Sequence, residues 1–241
     1  MTPPPPPAAV EHHPHLADPL EPGWVRVDMH SHTMWSGDCT TTPDELAAAV
    51  EAAQLHVLCI TDHNVTAGAE RLASELPCRV IIGEELRVGQ GEIIGLFLSE
   101  RIPSGVGLLE AARRIKEQGG VVYIPHPFDP MRNCLRAHEI DMLVAEGLVD
   151  AIEGHNSKTS LRSLNEQAVA YGETHGLAVG AGSDSHVPSS IGSGYVAMPD
   201  FSGPQEFLAA LRQGQVVGHF FDKARPWTPR IVPSIEDPIA R

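Results

Sequence analysis

Short apolar runs alternate with longer amphipathic stretches from residue 25 onward. Each short run contains β-branched residues and ends in polar ones, which is typical of buried strands, whereas the longer stretches have helical spacing. This alternation indicates a protein built from β–α units. The predicted strands are VRVDMH, HVLCIT, RVIIGEE, GEIIGLFL, GVVYIPH, VDAIEG and LAVGAGSD.

Five amphipathic stretches predict helices between or after these strands. The first begins with Thr42 as its N-cap and Pro43 at its first position, followed by two acidic residues, all of which favour a helix start. Because the strands are apolar on both faces, the pattern favours either a parallel barrel or an open α/β sheet. The helical stretches are TPDELAAAVEAAQ, LLEAARRIKEQGG, AHEIDMLVAEG, SLRSLNEQAVAYGETHG and GPQEFLAALRQG.

The ends of the chain differ in composition from its centre. Eight of the 21 prolines fall within the first 22 residues, and such a segment favours extended conformations that bury little surface. With no internal repeat and no interior linker, we expect one domain over residues 24–220. Residues 1–23 then form a flexible N-terminal arm, and residues 221–241 form a C-terminal tail.

The charge balance narrows the classes of partner. The chain has 17 Lys and Arg against 31 Asp and Glu, a formal net charge of -14, which argues against extended nucleic acid and anionic membranes. No apolar run approaches the roughly 18 residues of a membrane-spanning helix. The four cysteines form no C-x-x-C pair, and the N-terminus lacks the pattern of a signal peptide, so we expect a cytoplasmic protein.

Residues able to bind metal ions recur where the predicted strands end. His30 and His32 lie two apart on the first strand, so their side chains share a face and can bind one ion. The carboxyl ends of parallel barrel strands form one face, so the other strand ends would join them there. Nitrogen and oxygen ligands without thiolates suit Mn, Zn or Fe, and their number indicates two or three divalent ions. The other strand ends read Thr61-Asp62-His63, Gly83-Glu84-Glu85, His126-Pro127 and Gly182-Ser183-Asp184-Ser185-His186.

These motifs, in this order, resemble those of the polymerase and histidinol phosphatase (PHP) domain family. The resemblance runs from about residue 27 to about residue 217. It implies a distorted seven-stranded (β/α) barrel, similar to a TIM barrel, that carries a dinuclear or trinuclear metal centre. The motifs are D-x-H-x-H at Asp28–His32, T-x-x-S-x-D at Thr33–Asp38, T-D-H-N at Thr61–Asn64, G-x-E at Gly83–Glu85, H-P at His126–Pro127 and G-S-D-x-H at Gly182–His186.

The resemblance also implies an activity and a set of ligands. The expected activity is hydrolysis of a small-molecule or nucleotide phosphate ester, by attack of metal-activated water. Asp62 and His186 are the candidate catalytic residues, with Asp62 either protonating the leaving group or orienting a ligand histidine. The metal ligands carried over are His30, His32, Asp38, His63, Glu85, His126, Asp184 and His186.

Two acidic residues leave alternatives open in the ligand set. Adjacent strand residues cannot both face the same ion, so only one of Glu84 and Glu85 can be a ligand, and the resemblance implies Glu85. Glu92 lies where many family members carry a histidine, and it is either a carboxylate ligand or a surface residue.

Substrate contacts are expected in the loops after the strands. Arg132 and Lys158 are the candidate phosphate-binding cations, ahead of Arg87 and Arg136, because loops concentrate functional residues. Asn156, at the end of another predicted strand, completes the candidate substrate-binding set. A phosphorylated small molecule or nucleotide is therefore the expected partner.

Two other functions compete with a phosphoesterase. Amidohydrolase barrels also begin with H-x-H, although they usually need a lysine or carboxylate on a central strand. A non-catalytic metal-binding PHP domain is the other alternative, and it is disfavoured because few ligands have been lost from the motifs.

Overall fold

The computed structural model describes residues 19–221. Residues 1–18 of the expected N-terminal arm and residues 222–241 of the expected tail lie outside this range. Within it, the chain forms one sheet of nine strands with helices packed around it. The strands are β1 (Trp24–Ser31), β2 (Val57–Ile60), β3 (Arg79–Val88), β4 (Gly91–Leu96), β5 (Val121–Ile124), β6 (Ala151–Asn156), β7 (Ala178–Gly182), β8 (Gly194–Pro199) and β9 (Gln215–Gly218).

The sheet closes almost completely into a barrel. Its strand order is β7-β6-β5-β4-β3-β2-β1-β8-β9, and the residues just after β7 return to the end of β1. There the Asp184 backbone N–H donates to the His30 carbonyl at 2.7 Å, and the His32 N–H donates to the Ser185 carbonyl at 2.9 Å. The barrel expected from the resemblance is therefore confirmed as the fold class.

The strand count and directions differ from the expected seven. All seven predicted strands are present, but β8 and β9 add an antiparallel pair beside β1. β4 also runs antiparallel to both neighbours, because only Gly89 and Gln90 separate it from β3. Two residues suffice for a hairpin but not for a crossover between parallel strands.

The five predicted helices are present, and one short helix was missed. Thr42 caps the first helix as expected: its side chain accepts from the Glu45 N–H, and the Glu45 carboxylate accepts from the Thr42 N–H. Among the described residues, no helix is long and apolar enough to cross a membrane. The helices are α1 (Pro43–Ala52), α2 (Ala67–Leu72), which was missed, α3 (Leu108–Glu117), α4 (Ala137–Ala145), α5 (Arg162–His175) and α6 (Pro204–Leu211).

The apolar core is divided between the barrel interior and the layer beneath the helices. Val27, Met29 and Tyr123 belong to the interior cluster and are fully buried. Alternate residues of the same strands face outward, so that Val122 and Ile124 pack beneath helices α3 and α4. This packing fixes the directions in which the polar residues at the strand ends point.

Candidate metal centre

The strand ends bring all eight predicted ligands into one cluster. It contains five histidines and four carboxylates, because Glu92 joins the predicted set. Within each of four overlapping groups, the donor atoms lie within 4.8 Å of one another. The groups are His32, Asp38, His63 and His186; His30, His32 and Glu85; His30, His126 and Asp184; and His63, Glu85 and Glu92.

The innermost donors come from β1, β3 and the segment after β7. The Nε2 atoms of His30 and His32 lie 3.1 Å apart. Glu85 Oε2 is 3.4 Å from the first and 3.3 Å from the second, and Asp184 Oδ1 is 3.8 and 3.6 Å away. Two imidazole nitrogens this close repel each other unless a proton or a cation lies between them.

The surroundings of His30 and His32 shift the pKa values of the two side chains in opposite directions. Burial alone would lower the pKa of His30, but the carboxylates of Glu153, Asp184 and Glu85 hold it well above its ordinary value. Burial and the nearby His186 hold the pKa of His32 well below its ordinary value. The carboxylates around His30 therefore favour positive charge at the centre of the cluster.

Two of the predicted ligands lie on strained backbone. His126 and Asp184 have φ angles of 29° and 49°, in the left-handed region that non-glycine residues rarely adopt. Such conformations cost of order 1–3 kcal/mol each and persist at functional sites when the surrounding structure enforces them. Here Asp184 is held by its backbone bond to His30, and the His126 N–H donates to Glu153 at 2.6 Å.

The outer part of the cluster is built around Asp38. One carboxylate oxygen, Oδ2, lies 3.4 Å from His63 Nε2 and 3.3 Å from His186 Nε2. Although partial burial opposes ionisation, contacts with His186 and His63 hold the pKa of Asp38 below its ordinary value. Asp38 therefore presents an anionic oxygen to the solvent side of the cluster.

Glu92 lies in the cluster and not on the surface. It is 5% exposed, and its carboxylate oxygens lie 3.8 Å from His63 Nδ1 and 3.6 Å from His126 Nε2. Arg87 contacts the same carboxylate at 3.1 Å. Burial and the neighbouring Glu85 raise the pKa of Glu92. The surface alternative for this residue is therefore wrong.

Glu84 and Glu85 point to opposite sides of β3. Glu84 accepts a hydrogen bond from the Ile102 N–H at 2.8 Å, outside the barrel, while Glu85 Oε1 lies 3.0 Å from His126 Nε2 inside the cluster. The alternation of a strand produces this separation, as the sequence pattern indicated. Burial raises the pKa of Glu84 to about 7, and its carboxylate is not part of the cluster.

A buried glutamate of β6, missed by sequence reasoning, orients two ligand histidines. Glu153 is fully buried; one oxygen lies 3.1 Å from His30 Nδ1, and the other accepts from the His126 N–H. Carboxylates in this position fix the tautomer and orientation of a ligating histidine. The signal was a charged residue directly after the apolar pair Ala151-Ile152 inside the predicted strand VDAIEG.

Ser36 connects two other ligands. Its hydroxyl lies 3.0 Å from His32 Nδ1 and accepts a hydrogen bond from the His63 N–H at 3.2 Å. Thr33 begins the same short turn, Met34–Ser36, by accepting a hydrogen bond from the Trp35 N–H. The T-x-x-S-x-D motif therefore places Asp38 and also supports the histidines beside it.

Asp62 and Asn156 form hydrogen bonds with other buried residues. The Asp62 carboxylate accepts hydrogen bonds from the Thr33 N–H and hydroxyl, both at 2.6 Å, and burial raises its pKa to about 7. Asp62 is not among the residues that line the cavity beside the cluster, and its expected roles as acid or orienting group stay predictions. Asn156 is fully buried and donates to Glu153 at 2.9 Å and to Asp184 at 3.1 Å. It therefore contacts a predicted ligand and is not among the residues that line the cavity beside the cluster, and its role in substrate binding stays a prediction.

A cavity of about 480 Å³ opens beside the cluster. Among the predicted cations, Arg132 and Lys158 line it and Arg136 does not. Arg132 contacts the Asp184 carboxylate directly, and Lys158 Nζ lies 2.8 Å from His186 Nδ1. The cavity is lined by Asp38, His63, Arg87, Glu92, Met131, Arg132, Asn133, Lys158, His186 and Phe221.

The donors fit divalent metal ions. His63 Nδ1 and Asp184 Oδ1 are buried and have no hydrogen-bond partner, although both point into the cluster. Buried polar atoms of this kind are rare, because an unsatisfied group costs roughly 1–3 kcal/mol. Imidazole and carboxylate donors together suit Zn, Mn or Fe.

Comparison with known families identifies the chain. Residues 28–172 match the PHP domain, and residues 162–216 match a domain described as PHP-associated. The protein therefore belongs to the PHP domain family, as the motif order indicated. It is also 32% identical over 197 residues to an uncharacterized protein of Methanocaldococcus jannaschii, covering 78% of this chain and 79% of that one.

Solved structures share the fold at low sequence identity. A two-domain protein from Bacteroides vulgatus containing a predicted PHP-like metal-dependent phosphoesterase has a TM-score of 0.66 and 20% identity, covering 83% of this chain and 67% of that chain. An amidohydrolase from Chromobacterium violaceum, solved with sulfate and no metal, has a TM-score of 0.56 and 17% identity, covering 69% of this chain and 89% of that chain. The protein thus has the fold of PHP-like metal-dependent phosphoesterases.

Proposed function

We propose that the protein is a metal-dependent phosphoesterase that hydrolyses a small-molecule or nucleotide phosphate ester. The observation that carries this proposal is the buried cluster of five histidines and four carboxylates beside a cavity that also contains Arg132 and Lys158. Divalent ions bound by such donors acidify water and neutralise phosphoryl oxygens. The ligands in this proposal are His30, His32, Asp38, His63, Glu85, Glu92, His126, Asp184 and His186.

Arg132 is suited to hold a phosphate oxygen next to these ligands. Its guanidinium contacts the Asp184 carboxylate, and the negative charge of that carboxylate is the main reason why the pKa of Arg132 is raised. A guanidinium presents several N–H donors in one plane, so it can contact Asp184 and a phosphoryl oxygen together. Arg132 would then orient the ester beside the ions.

Lys158 is suited to a second phosphate oxygen. His186 Nδ1 lies 2.9 Å from the Asp184 carbonyl and 2.8 Å from Lys158 Nζ, and it cannot donate to the first while accepting from the second. Coordination through His186 Nε2 places the proton on Nδ1, which then donates to the carbonyl. Lys158 lines the cavity, so its ammonium would also be within reach of a phosphate oxygen placed there.

His186 is the proposed proton-transfer residue in place of Asp62. It lines the cavity, whereas Asp62 is bonded to Thr33. Burial lowers the pKa of His186, and Lys158 lowers it further, which favours a neutral imidazole. A neutral imidazole whose Nε2 is not bound to a metal ion can accept or pass on a proton near neutral pH, so the proton-transfer role of His186 and its role as a ligand are alternatives.

The test combines metal content with hydrolysis. The full chain would be stripped with chelator, reconstituted with Mn, Zn or Fe(II), and assayed by elemental analysis. Turnover of p-nitrophenyl phosphate and bis-p-nitrophenyl phosphate would then be measured. We expect two or three ions per chain and hydrolysis of at least one ester.

A histidine pair provides the matched control. His63→Ala should lower both metal content and turnover, whereas His138→Ala should change neither, because His138 is 72% exposed on α4 and pairs with Glu139 away from the cluster. Bound ions with no turnover across a panel of phosphate esters would support a non-catalytic PHP domain. Turnover of amides alone would support the amidohydrolase alternative.

A further inference from the structure

Two apolar side chains share the cavity with the charged groups. They are Met131 and Phe221, and Met131 is 78% exposed, which is unusual for a large apolar residue. A volume of about 480 Å³ lies within the range of small-molecule pockets. The cations and metal ligands suffice for a phosphate group, so these two residues remain to be explained.

The chain after β9 brings Phe221 to the cavity by specific contacts. The Phe221 N–H donates to the Ser157 carbonyl at 2.8 Å, next to Lys158. The preceding ring, Phe220, packs on His155 with centroids 5.6 Å apart and lies under the Arg162 guanidinium at 4.8 Å. These contacts hold Phe221 close to a proposed phosphate-binding residue.

Met131 is held in a comparable way beside the other cation. The Asp129 carboxylate accepts hydrogen bonds from the Met131 N–H at 3.0 Å, the Ser160 N–H at 2.8 Å and the Ser160 hydroxyl at 2.7 Å. This network joins the loop after β5 to the loop after β6. Because Arg132 follows Met131 directly, each cation has an apolar neighbour at the cavity.

We propose that Phe221 and Met131 bind a planar ring in the organic part of the substrate, which makes the substrate a nucleotide-type phosphate ester. This inference rests on the proposed phosphoesterase function. A phenyl face and a thioether both interact favourably with aromatic rings. Asn133 lines the same cavity with an amide able to hydrogen-bond the polar edge of a base. A sugar phosphate without a base would leave these groups unused.

The test compares two ligands that differ only in the base. They are the phosphonate analogues of adenosine 5′-monophosphate and of ribose 5-phosphate, whose P–C bonds resist hydrolysis. Isothermal titration of the metal-loaded full chain should show roughly tenfold tighter binding of the adenosine compound, because stacking on one aromatic residue contributes about that much.

Variants of Phe221 separate stacking from a structural role. Phe221→Ala should weaken the adenosine compound roughly five- to tenfold and the ribose compound less than about twofold, and Phe221→Tyr should restore the difference. Val216→Ala is the matched control, because Val216 is an exposed apolar residue of the same C-terminal part and lies outside the cavity.

The outcomes distinguish this inference from the function on which it rests. Equal affinities of the two phosphonates for the wild-type protein, or equal losses of both in Phe221→Ala, would overturn the ring site and leave the phosphoesterase intact. If neither phosphonate binds to the metal-loaded protein, the proposed function fails and the ring site fails with it.

Discussion

The two ends of the barrel differ in the kind of side chain that the same strands and their loops place there. At the amino end, Phe97, Phe201 and Phe207 pack edge to face with centroids 5.1–6.4 Å apart. The nearby ion pair, Arg79 with Asp200 at 2.8 Å, remains exposed to water. At the carboxyl end, ionisable groups replace the apolar residues and most of them are buried.

The difference shows which end concentrates ionisable groups away from water. An exposed pair such as Arg79 and Asp200 is solvated and contributes little to stability. At the carboxyl end, five carboxylates lie among three cationic side chains and five histidines, so their charge is balanced only where histidines are protonated or cations bind. Buried charge of one sign is costly unless it is paired or binds metal. The carboxylates are Asp38, Glu85, Glu92, Glu153 and Asp184, and the cations are Arg87, Arg132 and Lys158.

The largest effect is expected from an aspartate at the carboxyl end. Asp184→Asn should lower hydrolysis more than about 100-fold, because losing a ligand exceeds the roughly 10–100-fold effect of losing a group that only orients one. Asp200→Asn, at the amino end, should leave turnover unchanged. Steady-state kinetics and circular dichroism on both variants test the comparison. Full turnover and full metal content in Asp184→Asn would contradict the assigned site.

A substitution at the amino end should lower the free energy of unfolding and leave the metal content unchanged. Phe207→Ala removes a fully buried ring and is expected to cost about 3–5 kcal/mol of unfolding free energy. The milder Phe207→Leu keeps much of the apolar volume and should lose less, which keeps the measurement possible if the alanine variant fails to fold. Denaturant unfolding measures both, while metal content per folded molecule should stay the same. A loss of metal without a loss of stability would show that the two ends are not independent.

A smaller effect should distinguish two buried glutamates. Glu153→Gln should weaken metal affinity by roughly tenfold, because the neutral amide no longer polarises His30. Glu84→Gln keeps an acceptor for the Ile102 N–H outside the barrel, so metal affinity should not change. Competition with a chelator measures both affinities. Equal affinities in the two variants would mean that Glu153 is only a packing residue.

Local patterns predicted most of the fold but not the direction of every strand. The alternation of apolar runs and amphipathic stretches located all seven predicted strands and five helices. It did not predict that β4 runs antiparallel, although the separation of β3 and β4 by Gly89 and Gln90 was visible in the sequence. Pairing of β8 with β1 joins residues about 170 positions apart, since Trp24 pairs with Pro199, and no local pattern encodes such a partner.

The predictability of the cluster residues followed from where each lies on its strand. His30 lies at the carboxyl end of β1, and His63 and Asp184 lie in the residues just after β2 and β7, so the common edge of a barrel brings them together. Glu153 lies inside a strand, where the sequence alone gives no reason for a buried carboxylate. The structure supplies the reason, because one of its oxygens lies 3.1 Å from His30 Nδ1. Asp62 shows the converse, because its place in a motif suggested chemistry, whereas its carboxylate is bonded to Thr33.

By itself, the sequence determined the class of fold and the family and located the residues of the cluster, because strand periodicity and motif order are local properties of the chain. Only the tertiary structure decided which side of a strand a carboxylate serves, as for Glu84 and Glu85, and which groups orient others. It alone brought Phe221 and Met131 to the same cavity as Arg132 and Lys158. Such placements depend on contacts between residues distant in the chain, and these form only when the barrel closes.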